Sequence, residues 1–351
     1  MSKKVVYILH KNGSNSHYTG LKHLLSEQNT TLKYREFSII STFFKALIKG
    51  NGRVIKKQIV NFLFLLNLFM SKHKKVVLGI APFDKKLVLL TQVLKNHTVY
   101  YHTSWTCWDG SFHPKQDNNS PKVRRAWKNF LENMVKHIFC VTIKSKSEIL
   151  KHYNVKKANI HVVNHAADPA FFQPAKISEK KPLSFIYYGR LVPEKGIEEL
   201  LDFFADQQNA ILTIIGNGKL IDTVKLFSDK FKNITHLQAT ENKEELIHKV
   251  ASHQYLVLNS KKSPKWEELF GLTIIESMAL GTIPIATNHT GPKEILTPDL
   301  GYLCEEHSLI EKIAELIEIG AFDENMSKNC KKIATNYKVN NIGEKWNAIL
   351  Y

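Results

Sequence analysis

Leu183-Ser184-Phe185-Ile186-Tyr187-Tyr188-Gly189-Arg190 begins the stretch that decides the fold. Its apolar run, 183–188, reads as a strand stopped by Gly189-Arg190. Residues 197–204 follow with helical spacing, and 211–215 form a second apolar run closed by Gly216-Asn217-Gly218. The alternation continues with a strand over 234–237, a helix over 243–251, a strand over 255–259, a helix over 272–280 and a strand over 283–286. Strands that are apolar throughout need cover on both faces of a parallel sheet. Their regular alternation with helices predicts an α/β, doubly wound domain.

The first half carries the same signature less cleanly, with candidate strands over 5–9, 32–37, 76–80, 98–102, 138–141 and 161–163. A chain of 351 residues is long for a single core and suggests two domains of roughly 150–200 residues each. Residues 1–176 are expected to form one domain and 181–337 the second. The mixed Pro, Lys, Glu and Ser stretch 174–182 reads as the linker, and 338–351 as a C-terminal helix packing back on the first domain. Two such domains enclose a cleft, and ligands bind outside the carboxyl ends of the strands.

The net charge is +17, and it is unevenly spread. Residues 1–180 hold 30 Lys+Arg and 9 Asp+Glu, a net of +21, whereas 181–351 hold 19 and 23, a net of −4. The first half should therefore attract something anionic: nucleic acid, lipid headgroups or a phosphorylated substrate. Cys107, Cys140, Cys304 and Cys330 lie far apart without C-x-x-C spacing, which excludes an evident zinc site or disulfide framework and fits a reducing, cytoplasmic setting. The apolar run 5–9 is too short for a secretory leader and reads as a first strand. The longest apolar run, 59–70, is interrupted by Asn61 and Asn67; a bilayer span needs about 20 residues, so no transmembrane helix is expected.

Candidate site residues follow the strands. In Tyr188-Gly189-Arg190-Leu191-Val192-Pro193-Glu194-Lys195-Gly196, the fork of Arg190 and the compact charge of Lys195 suit a diphosphate, although the pair also reads as solvated loop cations. Gly216-Asn217-Gly218 is a weak glycine signal given weight by its position. In Trp266-Glu267-Glu268-Leu269-Phe270-Gly271-Leu272-Thr273-Ile274-Ile275-Glu276, Glu268 stands in a loop and Glu276 early in the next helix. Helical side chains lean toward the N-terminus, so both carboxylates could face one pocket and accept hydrogen bonds from sugar hydroxyls while loop amides hold phosphate. Thr290-Gly291-Pro292-Lys293-Glu294 is another strand–glycine–helix transition.

The ordered set Gly189-Arg190…Glu194-Lys195-Gly196, Gly216-x-Gly218, Glu268-x7-Glu276 with Phe270-Gly271-Leu272, Gly281-x-x-Pro284 and Gly291-Pro292-x-Glu294 resembles the retaining GT-B glycosyltransferases of family 4, the group 1 type. The resemblance covers most of 160–305. It implies two Rossmann-like domains facing each other across a cleft. It also implies that Arg190 and Lys195 neutralise a donor diphosphate, that Glu276 holds the ribose hydroxyls, and that Glu268 contacts the donor sugar beside the Phe270, Gly271 and Leu272 amides. No metal is expected, in keeping with the lack of a D-x-D triplet. In the first half, Lys11-Asn12-Gly13 resembles the family's phosphate-approaching loop. His102 is similar to a histidine often placed at the sugar, and reads equally as a structural one. Val162-Val163-Asn164-His165-Ala166-Ala167-Asp168 resembles the stretch before the linker, with His165 where the family usually has Gly.

The expected activity is transfer of a sugar from a nucleoside-diphosphate donor, UDP-sugar favoured, to a glycan or lipid-linked acceptor in bacterial surface polysaccharide assembly. Basic clusters at Lys56-Lys57, Lys72 to Lys75, Lys85-Lys86 and Arg124-Arg125 flank apolar stretches at 43–48 and 55–70, which suits contact with an anionic membrane at its inner face. Burial of 59–70 inside the first domain is the competing reading. A non-transferring nucleotide-sugar enzyme of epimerase type, with Glu268 and His102 as acid and base, remains an alternative. A nucleic-acid-binding protein is the alternative of another class; charge alone speaks for it, and nucleic acid is not expected as a partner.

Overall fold

The computed structural model describes residues 4–11, 13, 15–110, 120–173, 179–240 and 242–351. Asn12 of the first glycine loop, and 174–178 of the stretch read as a linker, lie outside the described residues. The chain divides into two compact units, residues 1–166 with 339–351, and residues 167–338.

The first unit is built on Val5–His10 (β1), Thr31–Glu36 (β2), Lys75–Gly79 (β3), Thr98–Thr103 (β4), Val135–Cys140 (β5) and Ile160–Val162 (β6). They form one parallel sheet in the order β2-β1-β3-β4-β5-β6. Buried Val76, Leu78, Val99, Tyr101, Ile138 and Cys140 share a core with Trp108, Trp127 and Phe130 on one side of this sheet. Residues 339–351 belong to this unit by contact. Helix Val339–Glu344 packs on helix Thr19–Glu27, Trp346 lies tilted against Phe139 with ring centroids 4.4 Å apart, and Lys75 Nζ donates to the Ile349 carbonyl at 2.8 Å.

The second unit is built on Lys181–Leu191 (β7), Ile211–Gly218 (β8), Ile234–Leu237 (β9), His253–Leu258 (β10), Ile283–Thr287 (β11) and Tyr302–Cys304 (β12). These pair in parallel in the order β12-β11-β10-β7-β8-β9. Every residue of β10 and β11 is buried, as cover on both faces requires. The doubly wound reading therefore holds for both units. β12 was not foreseen; at three residues, with one of them buried, it carries no periodic signal. In each sheet the strand order reverses once, between β1 and β3 and between β7 and β10. Those are the switch points at which loops diverge and leave a crevice.

Residues 59–70 do not form a buried helix. They are the greater part of helix Gly52–Met70, in which Gln58, Asn61, Phe64 and Leu68 alone are buried. The spacing of the buried positions is helical, but the stripe is narrow and half polar, so the remaining apolar side chains face outward.

Candidate functional site

The end of β7 sets the first part of the site. Tyr187 Oη donates to the Arg190 carbonyl at 2.6 Å, which holds the strand end and leaves the Arg190 side chain exposed. β7 and β8 pair with Gly189 opposite Gly216 and Leu191 opposite Gly218. A Cβ on Gly216 would lie 2.0 Å from the Gly189 carbonyl oxygen, and one on Gly218 2.3 Å from that of Leu191. Both glycines thus have a packing reason in the close approach of two strand ends, whatever else they do. Beyond these ends lies a cavity of about 340 Å³, lined among others by Tyr188, Gly189, Arg190, Gly216, Asn217 and Thr240.

The second part sits at the β7/β10 switch point. After β7 a short 3-10 turn, Pro193–Lys195, ends at Gly196 with φ +59°, where a Cβ would lie 2.2 Å from the Asn259 carbonyl oxygen. Asn259 Nδ2 donates to the Gly196 carbonyl at 3.0 Å and to Glu199 Oε2 at 2.9 Å, tying the turn to the end of β10. Lys195 so placed pairs with Glu268 and stands 4.9 Å from the centre of the Trp266 ring. Both members of the ion pair are largely withdrawn from solvent.

The Glu268 loop is supported from behind. Its backbone N–H donates to His289 Nδ1 at 3.2 Å, so His289 carries its proton on Nε2, which faces Glu306 Oε1 at 2.9 Å. Gly291 N–H donates to the Glu268 carbonyl at 3.0 Å, and Glu267 accepts from both the backbone and the hydroxyl of Thr290. The strand–glycine–helix transition at 290–294 therefore buttresses this loop.

Gly271, with φ +88°, is the N-cap of helix Leu272–Ala279, and Glu276 lies in that helix's second turn. Tyr188 Oη donates to the Thr273 carbonyl at 2.9 Å and stands 3.5 Å from Glu276 Oε2. Burial, followed by the nearby Asp168 carboxylate, raises the Glu276 pKa from 4.5 to about 7; the Tyr188 hydroxyl and Lys243 oppose the rise. Asp168 is itself paired with Lys243.

The predicted residues of the second unit thus fall into three groups. Gly189, Arg190, Gly216 and Asn217 share the cavity, with Gly218 in the strand contact beneath. Lys195 and Glu268 pair at the switch point, and Phe270 is buried behind them. Glu268 and Glu276 are engaged separately, one by a lysine and one by a tyrosine; Tyr188 lines the cavity and reaches Glu276. Sequence reasoning missed the Tyr188, Asp168 and Lys243 surroundings of Glu276, which lie 88, 108 and 33 positions away along the chain. No local pattern marks them.

In the first unit Gly13 has φ +98° and lies beside Glu36. His102, in β4, is buried with its Nε2 unpartnered, and is one of four clustered histidines. The His17 ring centroid lies 4.3 Å from that of His165 and 6.5 Å from those of His10 and His102. Burial first, and neighbouring histidines second, hold the pKa of His10 at about 4 and of His165 at about 3, and that of His102 well below its usual range. His10 and His102 lie at or near the carboxyl ends of β1 and β4, and His165 follows β6, a recurrence that a search for His after each strand would have found. Among the described residues no group of three or more His, Cys, Asp or Glu is placed to hold a metal ion.

Residues 169–336 match the family model described as glycosyl transferases group 1, nearly the whole of the second unit. An uncharacterised glycosyltransferase of Methanocaldococcus jannaschii is 29% identical over 158 residues, 43% of each chain. The MMP alpha-(1->4)-mannosyltransferase of Mycolicibacterium hassiacum is 28% identical over 193 residues, 51% of this chain and 44% of that one. The chain spans less than half the length of the curated relatives it matches. Among solved structures, Anabaena HepE in complex with UDP superposes over 99% of both chains with a TM-score of 0.66 at 14% identity. The lipopolysaccharide outer core galactosyltransferase WaaB does so over 99% of both with 0.64 at 15%. These likenesses show the fold, the GT-B architecture of two Rossmann-like domains.

Proposed function

We propose that this chain, whose residues 169–336 are of the glycosyl transferases group 1 type, is a retaining glycosyltransferase that uses a nucleoside-diphosphate sugar. The observation that carries the reading is the convergence at the carboxyl ends of β7 and β8. A cavity with Arg190 on its lining opens there, and Lys195 is held nearby against a carboxylate that an incoming diphosphate can displace.

In this reading the diphosphate lies over the glycine-lined end of the cavity, where backbone approach is closest, and takes Arg190 and Lys195 as its cations. Release of Lys195 frees Glu268 to accept hydrogen bonds from the donor sugar. Glu276, beside Tyr188, accepts them from the ribose. Departure of the diphosphate is stabilised by Arg190 and Lys195 rather than by a divalent ion, and the acceptor hydroxyl attacks from the face the leaving group vacates, its proton passing to the departing phosphate, so configuration is retained without a protein nucleophile.

UDP is the favoured nucleotide, and HepE, of the same fold, is described with UDP. The acceptor is a glycan or a lipid-linked glycan of bacterial surface polysaccharide assembly, and the enzyme works in the cytoplasm, where a lipid-linked acceptor brings it to the inner face of the membrane.

The test is thermal unfolding in EDTA with a panel of UDP-, GDP- and ADP-sugars, with product analysis for transfer. A ligand that binds the native state must raise its apparent stability. One nucleotide sugar should stabilise the wild type, and much less so Arg190→Ala or Glu276→Ala. If none shifts the wild type, the donor reading fails; if the sugar is altered without an acceptor, the epimerase-type alternative takes its place.

A further inference from the structure

The largest feature the donor site does not use is an apolar surface on the first unit. Helix Gly52–Met70 is 19 residues long and buries a narrow stripe. Two members of that stripe are polar: Gln58 Nε2 donates to Glu36 Oε2 at 2.9 Å, and Asn61 Oδ1 accepts from the Glu36 backbone N–H at 3.2 Å. The helix thus turns amides inward, while Ile59, Phe62, Leu63, Leu66, Phe69 and Met70 are exposed. Their spacing, three or four residues apart, makes them a continuous stripe along one face. Helix Ile39–Ile48 packs against it and adds Ile40 (75% exposed), Phe44, Leu47 and Ile48 (86%). Most of the exposed large hydrophobic side chains of the described residues lie on these two helices. Such a concentration marks an interaction surface, since apolar residues scattered singly need no explanation but a contiguous patch does.

The charge pattern says what covers it. Between Glu36 and Asp84 the chain holds eight Lys and Arg and no Asp or Glu. Of these, Lys45, Lys49, Arg53 and Lys56 lie on or between the two helices and are exposed, while Lys57 is engaged by Glu36. A soluble protein partner would need an unusually acidic and greasy face to match this set. An anionic bilayer supplies both, with acyl chains for the stripe and phosphate for the cations. No described helix is long and apolar enough to cross a membrane, so the pair lies in the interface plane.

We propose that helices Ile39–Ile48 and Gly52–Met70 form a hairpin that docks the first unit on an anionic lipid surface, its apolar stripe sunk among the acyl chains and its lysines and Arg53 at the phosphates. The inference deepens the proposed function by naming the surface on which a lipid-linked acceptor is met, and its failure leaves the donor site standing.

The test uses the full chain and vesicles of phosphatidylcholine with and without about one third phosphatidylglycerol, read by co-sedimentation at low and high salt, because surface charge attraction is screened within a Debye length. The wild type should bind the anionic vesicles and release as salt rises. Leu63→Glu with Leu66→Glu should weaken binding about tenfold or more, as should Arg53→Ala with Lys56→Ala. Because all four side chains are exposed, both variants should keep the wild-type melting temperature and any nucleotide-sugar shift, which separates a lost docking surface from a lost fold. Absence of wild-type binding to anionic vesicles overturns the proposal. So does equal binding to neutral vesicles with no effect of the Arg53/Lys56 variant. A dimer in sedimentation that the Leu63/Leu66 variant dissolves, without vesicle binding, also overturns it and makes the hairpin an interface between copies of this chain.

Discussion

Replacing Glu276 by glutamine should stabilise the empty protein at alkaline pH while weakening its hold on a donor. Burial and the Asp168 carboxylate raise this carboxyl from 4.5 to about 7. The folded state therefore binds the proton more tightly than the unfolded chain, and the stability this proton gives is fully present below about pH 4.5. It is lost as pH rises through about 7, above which the carboxylate is ionised at a cost. At 1.36 kcal/mol per unit the cost is about 3 kcal/mol, trimmed to about 2–3 kcal/mol because the side chain keeps some contact with solvent. Glutamine is uncharged throughout, so the variant should unfold at a melting temperature roughly 5–10 °C above the wild type at pH 8.5, a gap that closes toward pH 5. Donor hydroxyls make stronger, charge-assisted hydrogen bonds to the ionised form than to the protonated one, so wild-type donor affinity should rise between pH 6 and 8, and the glutamine variant should lose that rise. Thermal scans and donor titrations across this range measure both. A stability difference that does not change with pH, or a variant less stable at pH 8.5, refutes the reasoning.

Arg190→Ala and Lys195→Ala should each lower turnover by about 10²–10³-fold, the scale of losing one preorganised electrostatic contact at a developing charge; near-normal turnover in either removes that residue from the mechanism. Gly216→Ala should destabilise the protein by at least about 1–3 kcal/mol in urea, because its methyl would meet the Gly189 carbonyl at 2.0 Å. Gly52→Ala, whose methyl meets nothing within 4 Å, should be neutral or stabilising. The clustered histidines set the opposite pH trend from Glu276: with His10 held at about 4 and His165 at about 3, their contribution is complete above about pH 6.5 and is lost as pH falls toward those values. The urea midpoint should drop between pH 7 and 4.5, and His165→Gln should flatten that drop.

The doubly wound fold was legible because its signal is local. A strand covered on both faces must be apolar along its whole length, and the following helix must show its own period within some ten residues. β10 and β11 meet the first condition at every position. The three-residue β12 meets neither and was invisible. The order of glycine loops, Arg190, Lys195, Glu268 and Glu276 was legible for the same reason, since each stands in or close to a loop between a strand and the helix that follows it.

What each of these groups touches was decided by the tertiary structure. Lys195 meets Glu268 across 73 positions because β7 and β10 are neighbours at the switch point, and Tyr188 meets Glu276 across 88. Gly216 is compelled by a carbonyl on the adjoining strand. In helix Gly52–Met70 the sequence determined an apolar helix but not its facing. The buried Glu36 carboxylate draws Gln58 and Lys57 to itself and the Glu36 amide bonds Asn61, so the polar side turns inward and the apolar side is left outside. Periodicity records that a face exists; which way it points depends on polar groups brought from elsewhere in the chain, because a buried charge without partners costs more than an exposed leucine.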